Sequence, residues 1–245
     1  MKKNELKMSG VYLAYDHGME HGPTDFNEKT VAPEYIVSLA EKAEVDALIL
    51  LKGTARAYYK KGSGVPLIVK LNQKTDMYTG EPISKQVCSV KEAISLGASA
   101  VGYTVYAGSE YEAEMLEEFG VIEEEAHKYG LPVIMWSYPR GKAVADDTAP
   151  ETIAYAARIA LEMGSDIVKL KYPSDDSKLD WIVKCAGKTK VFMAGGKAVN
   201  DKEFENHIKK VISAGFSGIA VGRNVWQNND PVKRIKEIKE IINSA

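Results

Sequence analysis

The sequence predicts an α/β protein in which short apolar strands alternate with amphipathic helices. Three observations predict this class: β-rich apolar runs recur along the chain, helical patterns lie between them, and about eight strand-then-helix units fit within 245 residues. Eight such units at this length are typical of a TIM barrel, a closed ring of parallel strands surrounded by helices. We therefore expect residues 1–245 to form a single TIM-barrel domain.

Each predicted strand is a run of apolar and β-branched residues. In chain order the runs are 11–16, 46–51, 66–71, 99–106, 132–138, 166–172, 190–196 and 217–223. Near-continuous apolar runs are typical of parallel strands that are covered by helices. An open, doubly wound sheet is the alternative, but that fold would place a GxGxxG motif after the first strand. This chain has DHGMEHG there, which favours the barrel.

The segments between the strands carry the period of amphipathic helices. The clearest are 32–43 (APEYIVSLAEKA), 108–130 (GSEYEAEMLEEFGVIEEEAHKYG) and 149–164 (APETIAYAARIALEMG). Glycine stands just ahead of several strands, in SLGAS, KYGLP, EMGSD and SAGFS. Because glycine commonly ends helices, these positions predict where a helix stops and the chain turns into the next strand.

Composition excludes several classes of partner. The net charge is −2, so no basic excess indicates nucleic acid. No apolar run approaches the roughly 18 residues of a membrane span. The early run VYLAY is too short for the core of a signal peptide. The two cysteines form no CxxC motif, so we expect free thiols in a reducing cytosol and a cytoplasmic protein.

The residues at which the apolar runs stop are the candidates for function, because TIM-barrel sites lie at the C-terminal ends of the strands. These residues are Asp16 and His17, Lys70 and Asn72, Tyr103, Trp136 and Tyr138, Lys169 and Lys171, Gly195 and Gly196, and Gly222 and Arg223. The set is rich in acid, base and nucleophile chemistry, which a purely structural role does not explain.

The last two strands end in AGGKA and VGRN, which together predict a phosphate site. Glycines let the backbone approach an anion, and successive N–H groups can surround it. The loops after strands seven and eight are also the usual phosphate site of this fold. Here those loops contain Gly195, Gly196, Lys197, Gly222 and Arg223. We therefore expect a phosphorylated metabolite as substrate.

The predicted sixth strand, SDIVKLKYP, contains two lysines on one face. Lys169 and Lys171 are two residues apart, so in a strand both point the same way. A buried lysine near a second cation loses its proton readily, and the neutral amine can attack a ketone to form an iminium ion. The alternative for Lys169 is a structural ion pair with Asp16 or another carboxylate. Tyr138 and Asp16 are the acid/base candidates, and Trp136 shares the parity of Tyr138.

The motifs DHGMEHGP, WSYPRG, DIVKLKY, AGGK and VGRNVWQ occur in that order over nearly the whole chain. Together they resemble the archaeal-type class I fructose-1,6-bisphosphate aldolases, also called DhnA-type Schiff-base aldolases. The resemblance implies a TIM barrel without metal or other cofactor and a Schiff base on Lys169. It also implies that Tyr138 is the proton donor and that Asp16 is a second acid/base group. The resemblance places the substrate phosphate at Gly195, Gly196, Gly222 and Arg223. It also implies that the protein forms a homo-oligomer.

The implied reaction is the reversible cleavage of fructose 1,6-bisphosphate in glycolysis and gluconeogenesis. Its products are dihydroxyacetone phosphate and glyceraldehyde 3-phosphate. We expect His17, Trp136, Arg140 and Lys171 to contact the substrate. Three residues are candidates to bind the second phosphate, Arg56, Arg140 and Lys142.

Two alternatives to this function remain open from the sequence. One is a sister branch of the family, the 2-amino-3,7-dideoxy-D-threo-hept-6-ulosonate synthase type of transaldolase. The tryptophan in WSYPRG favours the sugar bisphosphate aldolase over that branch. The other is a barrel that binds a phosphometabolite without catalysis.

A metal site at His17, Glu20 and His21 is a further interpretation, since zinc-dependent aldolases use the same fold. The segment follows a strand and contains two glycines, so we expect no helix that would place the histidines together. The prediction is therefore no metal.

Overall fold

The computed structural model describes residues 5–196 and 199–244, and its centre is a closed barrel of parallel strands. Within these residues the barrel strands are β1 (Gly10–Ala14), β2 (Ala47–Leu51), β3 (Leu67–Lys70), β4 (Ala98–Val105), β5 (Val133–Ser137), β6 (Ile167–Leu170), β7 (Lys190–Ala194) and β8 (Gly218–Val221). Each strand pairs with its neighbour in sequence, and β8 closes the ring by pairing with β1. The predicted TIM barrel is confirmed.

Helices surround the barrel. They are α1 (Pro33–Lys42), α2 (Lys52–Tyr58), α3 (Val90–Leu96), α4 (Glu112–Lys128), α5 (Pro150–Glu162), α6 (Leu179–Ala186), α7 (Asp201–Ser213) and α8 (Pro231–Ser244). Two shorter helices, Gly18–His21 and Arg223–Trp226, follow β1 and β8 at the same end of the barrel. A small antiparallel pair, Asn72–Gln73 with Lys85–Gln86, follows β3. Within the described ranges, no helix is long and apolar enough to cross a membrane.

Local sequence determines where the helices begin and end. Proline opens α1, α5 and α8, where its missing N–H leaves no hydrogen bond unmade. At α7, the Asn200 side chain accepts a hydrogen bond from the Glu203 N–H at 2.9 Å. The four glycines that the sequence predicted as helix ends, Gly97, Gly130, Gly164 and Gly215, all have positive φ. That prediction is confirmed.

The core has two layers that follow the alternation of side chains along the strands. The larger layer lies between the strands and the outer helices. The smaller layer fills the barrel and includes Tyr12, Ile134, Ile167 and Phe192. Trp136 lies at the top of this inner layer. The next inward-facing residue after Ile167 is Lys169, so the barrel packing itself points Lys169 into the open end.

Candidate active site

A cavity of about 190 Å³ opens at the C-terminal ends of the strands, above the inner core. It is lined by the predicted residues Asp16, His17, Trp136, Tyr138, Arg140, Lys169, Lys171, Gly195, Gly196, Gly222 and Arg223. Lys197, which was also predicted, lies outside the described residues. The cavity is also lined by Lys70, a strand-end candidate without a predicted role, and by Glu20 and His21, which the sequence suggested only as possible metal ligands. One compartment therefore holds residues from most of the barrel strands.

Lys169 is the penultimate residue of β6 and only 7% exposed. Its Nζ lies 5.1 Å from the centre of the Trp136 ring. Burial lowers the pKa of Lys169 to about 8, with Asp16 acting against this shift and Lys70 adding to it. Lys169 therefore loses its proton far more readily than an ordinary lysine, and the neutral amine is the form that attacks a carbonyl carbon.

The second cation beside Lys169 is Lys70, and the prediction that Lys171 fills this role was wrong. Lys70 ends β3, and its Nζ lies 3.6 Å from Oδ2 of Asp16. Lys171 lines the cavity, but it follows the end of β6 and forms an ion pair with Asp147 on the loop before α5. The charge of Lys171 is therefore balanced locally.

Asp16 lies two residues beyond β1 and is 5% exposed. Burial by itself would raise the pKa of the Asp16 carboxyl, but Lys70 and Lys169 together hold that pKa below its usual value. The backbone oxygen of Asp16 accepts a hydrogen bond from Nε2 of Gln73 at 2.8 Å. Asp16 is therefore a fixed, ionised carboxylate that can accept a proton from a substrate hydroxyl.

Tyr138 lies just past the end of β5, and its N–H donates to the Val105 carbonyl at 3.0 Å. Burial raises the pKa of Tyr138 well above its usual value, and the nearby carboxylates Asp16 and Glu20 raise it further. The phenol therefore keeps its proton. A buried phenol that faces the same cavity as Lys169 is suited to donate that proton during catalysis.

The predicted phosphate end contains both glycine loops and an arginine that joins them. Arg223 begins the short helix after β8, and its Nη2 donates to the Gly196 carbonyl at 3.0 Å. Nη1 of the same guanidinium pairs with Asp25 at 3.2 Å. Burial lowers the pKa of His17 to about 4, and the neutral ring stacks on Trp226 at 5.5 Å between ring centres. Nε2 of His17 has no hydrogen-bond partner among the described residues.

Of the three arginine and lysine candidates for a second phosphate, Arg140 is the one that lines the cavity in the described structure. Its Nη1 donates to Oε1 of Glu20 at 3.1 Å, and its guanidinium lies 5.2 Å from the centre of the Tyr106 ring. By contrast, Arg56 pairs with Glu92 on the neighbouring helix α3. Lys142 is 81% exposed and lies near Glu81.

The segment after β1 corrects another expectation. Residues 18–21 do form a short helix, and the rings of His17 and His21 lie 5.6 Å apart. Ligand atoms of Glu20, His21 and Asp76 also lie within 4.8 Å of one another. The two carboxylates already have protein cations as partners, Arg140 for Glu20 and Lys74 for Asp76. Those cations make the cluster a poor place for a metal ion.

The cavity thus combines an amine with a lowered pKa, an ionised carboxylate, a protonated phenol and arginines at two places. An amine nucleophile with an acid and a base beside it is the equipment of imine chemistry on a carbonyl compound. The arginines and glycine loops suit a substrate that carries phosphate.

Comparison with known proteins gives relatives over nearly the whole chain. Residues 10–228 match the sequence profile described as DeoC/LacD family aldolase. The class 1 fructose-bisphosphate aldolase of Thermoproteus tenax is 51% identical over 95% of this chain and 89% of its own length. The enzyme of the same name from Halobacterium salinarum is 46% identical over the same shares. A bifunctional fructose-bisphosphate aldolase/6-deoxy-5-ketofructose 1-phosphate synthase of Methanocaldococcus jannaschii is 38% identical over 89% of this chain and 75% of its own length.

Solved structures agree with these relatives. An archaeal fructose-1,6-bisphosphate aldolase, with its catalytic lysine covalently bound to the carbinolamine intermediate of the substrate, superposes with a TM-score of 0.92. That structure is 51% identical in sequence, and the match covers 96% of this chain and 94% of that one. Another archaeal fructose 1,6-bisphosphate aldolase gives a TM-score of 0.93 at 50% identity, over 97% and 94% of the two chains.

Proposed function

Because the chain belongs to the DeoC/LacD family of aldolases, we propose that it is a class I fructose-bisphosphate aldolase. It cleaves fructose 1,6-bisphosphate reversibly into dihydroxyacetone phosphate and glyceraldehyde 3-phosphate. The resemblance to archaeal class I aldolases that the motifs indicated is confirmed by the relatives at 51% and 46% identity. Since these relatives carry the aldolase name, the sister transaldolase is not needed to explain the chain.

One observation carries the proposal more than any other. Lys169 is buried at the mouth of the barrel, and burial lowers its pKa to about 8. A structural lysine would keep its proton in an ion pair of its own, whereas Lys169 forms no ion pair with any carboxylate of the described residues. A buried amine that gives up its proton beside an acid and a base is suited to form an imine.

The first half of the reaction builds the iminium ion. The neutral Nζ of Lys169 attacks C2 of the open-chain ketose, and the carbonyl oxygen takes a proton from the Tyr138 hydroxyl. The resulting carbinolamine loses water, which leaves a carbon–nitrogen double bond with a positive charge on nitrogen. That charge makes the iminium an electron sink for the bond between C3 and C4.

The second half breaks that bond. Asp16 accepts the proton of the C4 hydroxyl, the C3–C4 electrons move into the iminium, and the aldehyde leaves. Tyr138, which the first half left as a phenolate, takes this proton from Asp16 and delivers it to C3 of the enamine. Water then hydrolyses the new iminium, which releases dihydroxyacetone phosphate and returns a proton to the Tyr138 phenolate. Ionised Asp16 and protonated Tyr138 begin in the states that these roles need, because their pKa values are shifted in opposite directions.

In this proposal, different residues bind the two phosphates of the substrate. The C1 phosphate binds the backbone around Gly195, Gly196 and Gly222 and the side chain of Arg223. The C6 phosphate binds Arg140. Support comes from the positions of both arginines along the same cavity and from the guanidinium fork, which matches two oxygens of a phosphate.

Three further expectations complete the proposal: the enzyme uses no metal, works in the cytoplasm and forms a homo-oligomer. The Schiff base does the work that a metal would otherwise do, which supports the first. Tyr155 on α5 and Trp181 on α6 are 70% and 55% exposed. Aromatic side chains are enriched at protein–protein interfaces, which supports the third.

A cleavage assay with EDTA tests the function directly. Purified protein is given fructose 1,6-bisphosphate in the presence of EDTA, and both triose phosphates are measured. The proposal expects stoichiometric formation of both products without added metal. No cleavage, or cleavage that requires a divalent metal, would contradict it.

A further inference from the structure

A buried ion pair crosses the top of the barrel beside the lysine nucleophile. Lys70 on β3 is 3% exposed, and its Nζ lies 3.6 Å from Oδ2 of Asp16, which follows β1. Strand β2 lies between these two strands in the ring, so the pair bridges β2 at the inner face of the barrel. The Trp136 indole lies against both amines, with its ring centre 5.9 Å from Nζ of Lys70 and 5.1 Å from Nζ of Lys169.

The buried charges of this group do not balance if every member is ionised. Asp16 supplies one negative charge, whereas Lys70 and Lys169 would supply two positive charges. Burying an uncompensated charge is strongly unfavourable, so one of the two amines gives up its proton. Asp16 forms its ion pair with Lys70, while Lys169 has no carboxylate partner of its own among the described residues. Lys169 is therefore the amine that gives up its proton more readily.

The other titratable groups around Lys169 do not change this balance. They are His17, Glu20, His21, Tyr138, Arg140, Lys171 and Arg223. The lowered pKa of His17 and the raised pKa of Tyr138 keep both groups uncharged near neutral pH. Glu20 is paired with Arg140, and Lys171 is paired with Asp147. His21 and Arg223 both lie against Asp25.

We propose that Lys70 is the fixed counter-ion of Asp16 and that it thereby leaves Lys169 as the amine that deprotonates to become the nucleophile. This inference rests on the proposed aldolase function and adds a positioning residue to it. Lys70 acts through Asp16 and Lys169 and forms no bond to the substrate. The lowered pKa of Lys169, to which Lys70 contributes, supports the same division of protons.

The test measures how imine formation depends on pH. Dihydroxyacetone phosphate is the probe, borohydride reduces the imine, and the rate of adduct formation on Lys169 is followed between pH 6 and 10. Wild-type protein is compared with Lys70→Met, Lys70→Arg and Lys171→Met. The Lys171 variant removes a cavity-lining lysine that pairs with a different carboxylate, so it is the matched control.

We expect the wild-type rate to rise with a midpoint near pH 8. In Lys70→Met, Asp16 becomes the partner of Lys169, and the midpoint should move up by about one pH unit or more, which makes trapping roughly tenfold slower at pH 7. Lys70→Arg retains the charge and should keep its midpoint near that of wild type. Lys171→Met removes an expected substrate contact and should slow trapping at every pH, but it should keep the wild-type midpoint.

The reverse change gives an independent test if Lys70→Met does not fold. In Asp16→Asn the carboxylate is lost and Lys70 faces Lys169 without compensation, so the midpoint should move down. Folding of each variant is checked by thermal unfolding. An unchanged midpoint in folded Lys70→Met, or an upward shift in Asp16→Asn, overturns the inference while leaving the aldolase function intact. The absence of any wild-type adduct overturns both.

Discussion

The Trp136 indole lies directly against Gly102 on the neighbouring strand, where a side chain would not fit. A Cβ atom built on Gly102 would stand 1.9 Å from the ring carbon Cζ3 of Trp136. Gly102 lies in β4, and its backbone is paired with Ile134 of β5. The glycine thus makes the space for the indole that forms the cavity wall beneath Lys169 and Lys70.

Gly102→Ala should therefore disturb the active site and the fold together. The ring must move out of its position, and forcing a methyl group into a packed core costs about 1–3 kcal/mol of unfolding free energy. We expect slower fructose 1,6-bisphosphate cleavage because the indole then crowds the two amines. Chemical denaturation and a cleavage assay measure the two effects.

Gly53→Ala is the matched control. Gly53 lies in α2, and nothing stands within 4 Å of a Cβ atom built there. Alanine in a helix is favoured over glycine by about 0.5–1 kcal/mol, so this variant should be as stable as wild type or more stable. Equal losses of stability and cleavage rate in both variants would show that the contact between Gly102 and the indole does not cause the effects of Gly102→Ala.

Lys169→Met and Tyr138→Phe should separate the nucleophile from the proton donor. Lys169→Met removes the amine, so both cleavage and borohydride trapping should disappear. Tyr138→Phe removes only the phenolic hydroxyl, and loss of a general acid typically slows a reaction by about 10²–10⁴-fold. The Tyr138 variant should still give an adduct after long incubation. A Tyr138→Phe enzyme with the wild-type cleavage rate would remove Tyr138 from the mechanism.

Arg140→Met should change selectivity between substrates. If Arg140 holds the C6 phosphate, its loss should raise KM for fructose 1,6-bisphosphate and leave fructose 1-phosphate, which lacks that phosphate, little affected. Losing a charge-assisted contact of about 1.5–3 kcal/mol corresponds to a 10–100-fold fall in the ratio of the two kcat/KM values. Steady-state kinetics on both ketoses give that ratio.

Lys142→Met and Arg223→Met are the two controls for the Arg140→Met prediction. Lys142 is 81% exposed and lies outside the cavity, so its loss should leave the ratio unchanged. Arg223 is assigned to the C1 phosphate that both ketoses share, so its loss should lower kcat/KM equally for both substrates. A ratio that falls in Arg223→Met but not in Arg140→Met would mean that the two phosphates are assigned the wrong way round.

His127 should stabilise the protein at low pH and not at high pH. Its two ring nitrogens each lie 2.8 Å from a carboxylate oxygen, of Glu123 and of Asp166. Partial burial opposes protonation, but hydrogen bonds to Asp166 and Glu123 outweigh it and raise the pKa of His127. Stability from a raised pKa is fully present below the usual value of about 6.5 and is lost as pH rises through the folded value.

His127→Gln should therefore lower the free energy of unfolding more at pH 5.5 than at pH 9. Because the side chain is partly exposed, the cost at pH 5.5 should be about 0.5–1 kcal/mol of unfolding free energy. His207→Gln is the control with the opposite sign, since burial lowers the pKa of His207 where the ring stacks on Tyr172. Its cost should be larger at pH 9. Equal costs at both pH values for His127→Gln would contradict the assignment.

The barrel could be predicted from the sequence because its signals are local. Apolar runs, helical periods and glycine helix ends each depend on a few neighbouring residues, and Gly97, Gly130, Gly164 and Gly215 all have the backbone that was predicted. Parity along a strand also predicted correctly that Trp136, Tyr138, Lys169 and Lys171 face one cavity.

Distances across the barrel could not be predicted in the same way. Parity shows which face a lysine lies on, but it does not show which carboxylate that lysine meets. Lys171 pairs with Asp147 from a loop, whereas Lys70 reaches Asp16 across the ring. The helix at Gly18–His21 was missed because two glycines disfavour it locally, while the contact of Glu20 with Arg140 is a tertiary one.

The most direct test of the account is to locate the covalent adduct. The protein is incubated with dihydroxyacetone phosphate in EDTA, reduced with borohydride, digested and examined by mass spectrometry. We expect one reduced adduct, on Lys169, formed without metal. An adduct on Lys70 or Lys171 instead, or no adduct while dihydroxyacetone phosphate still binds, would contradict it.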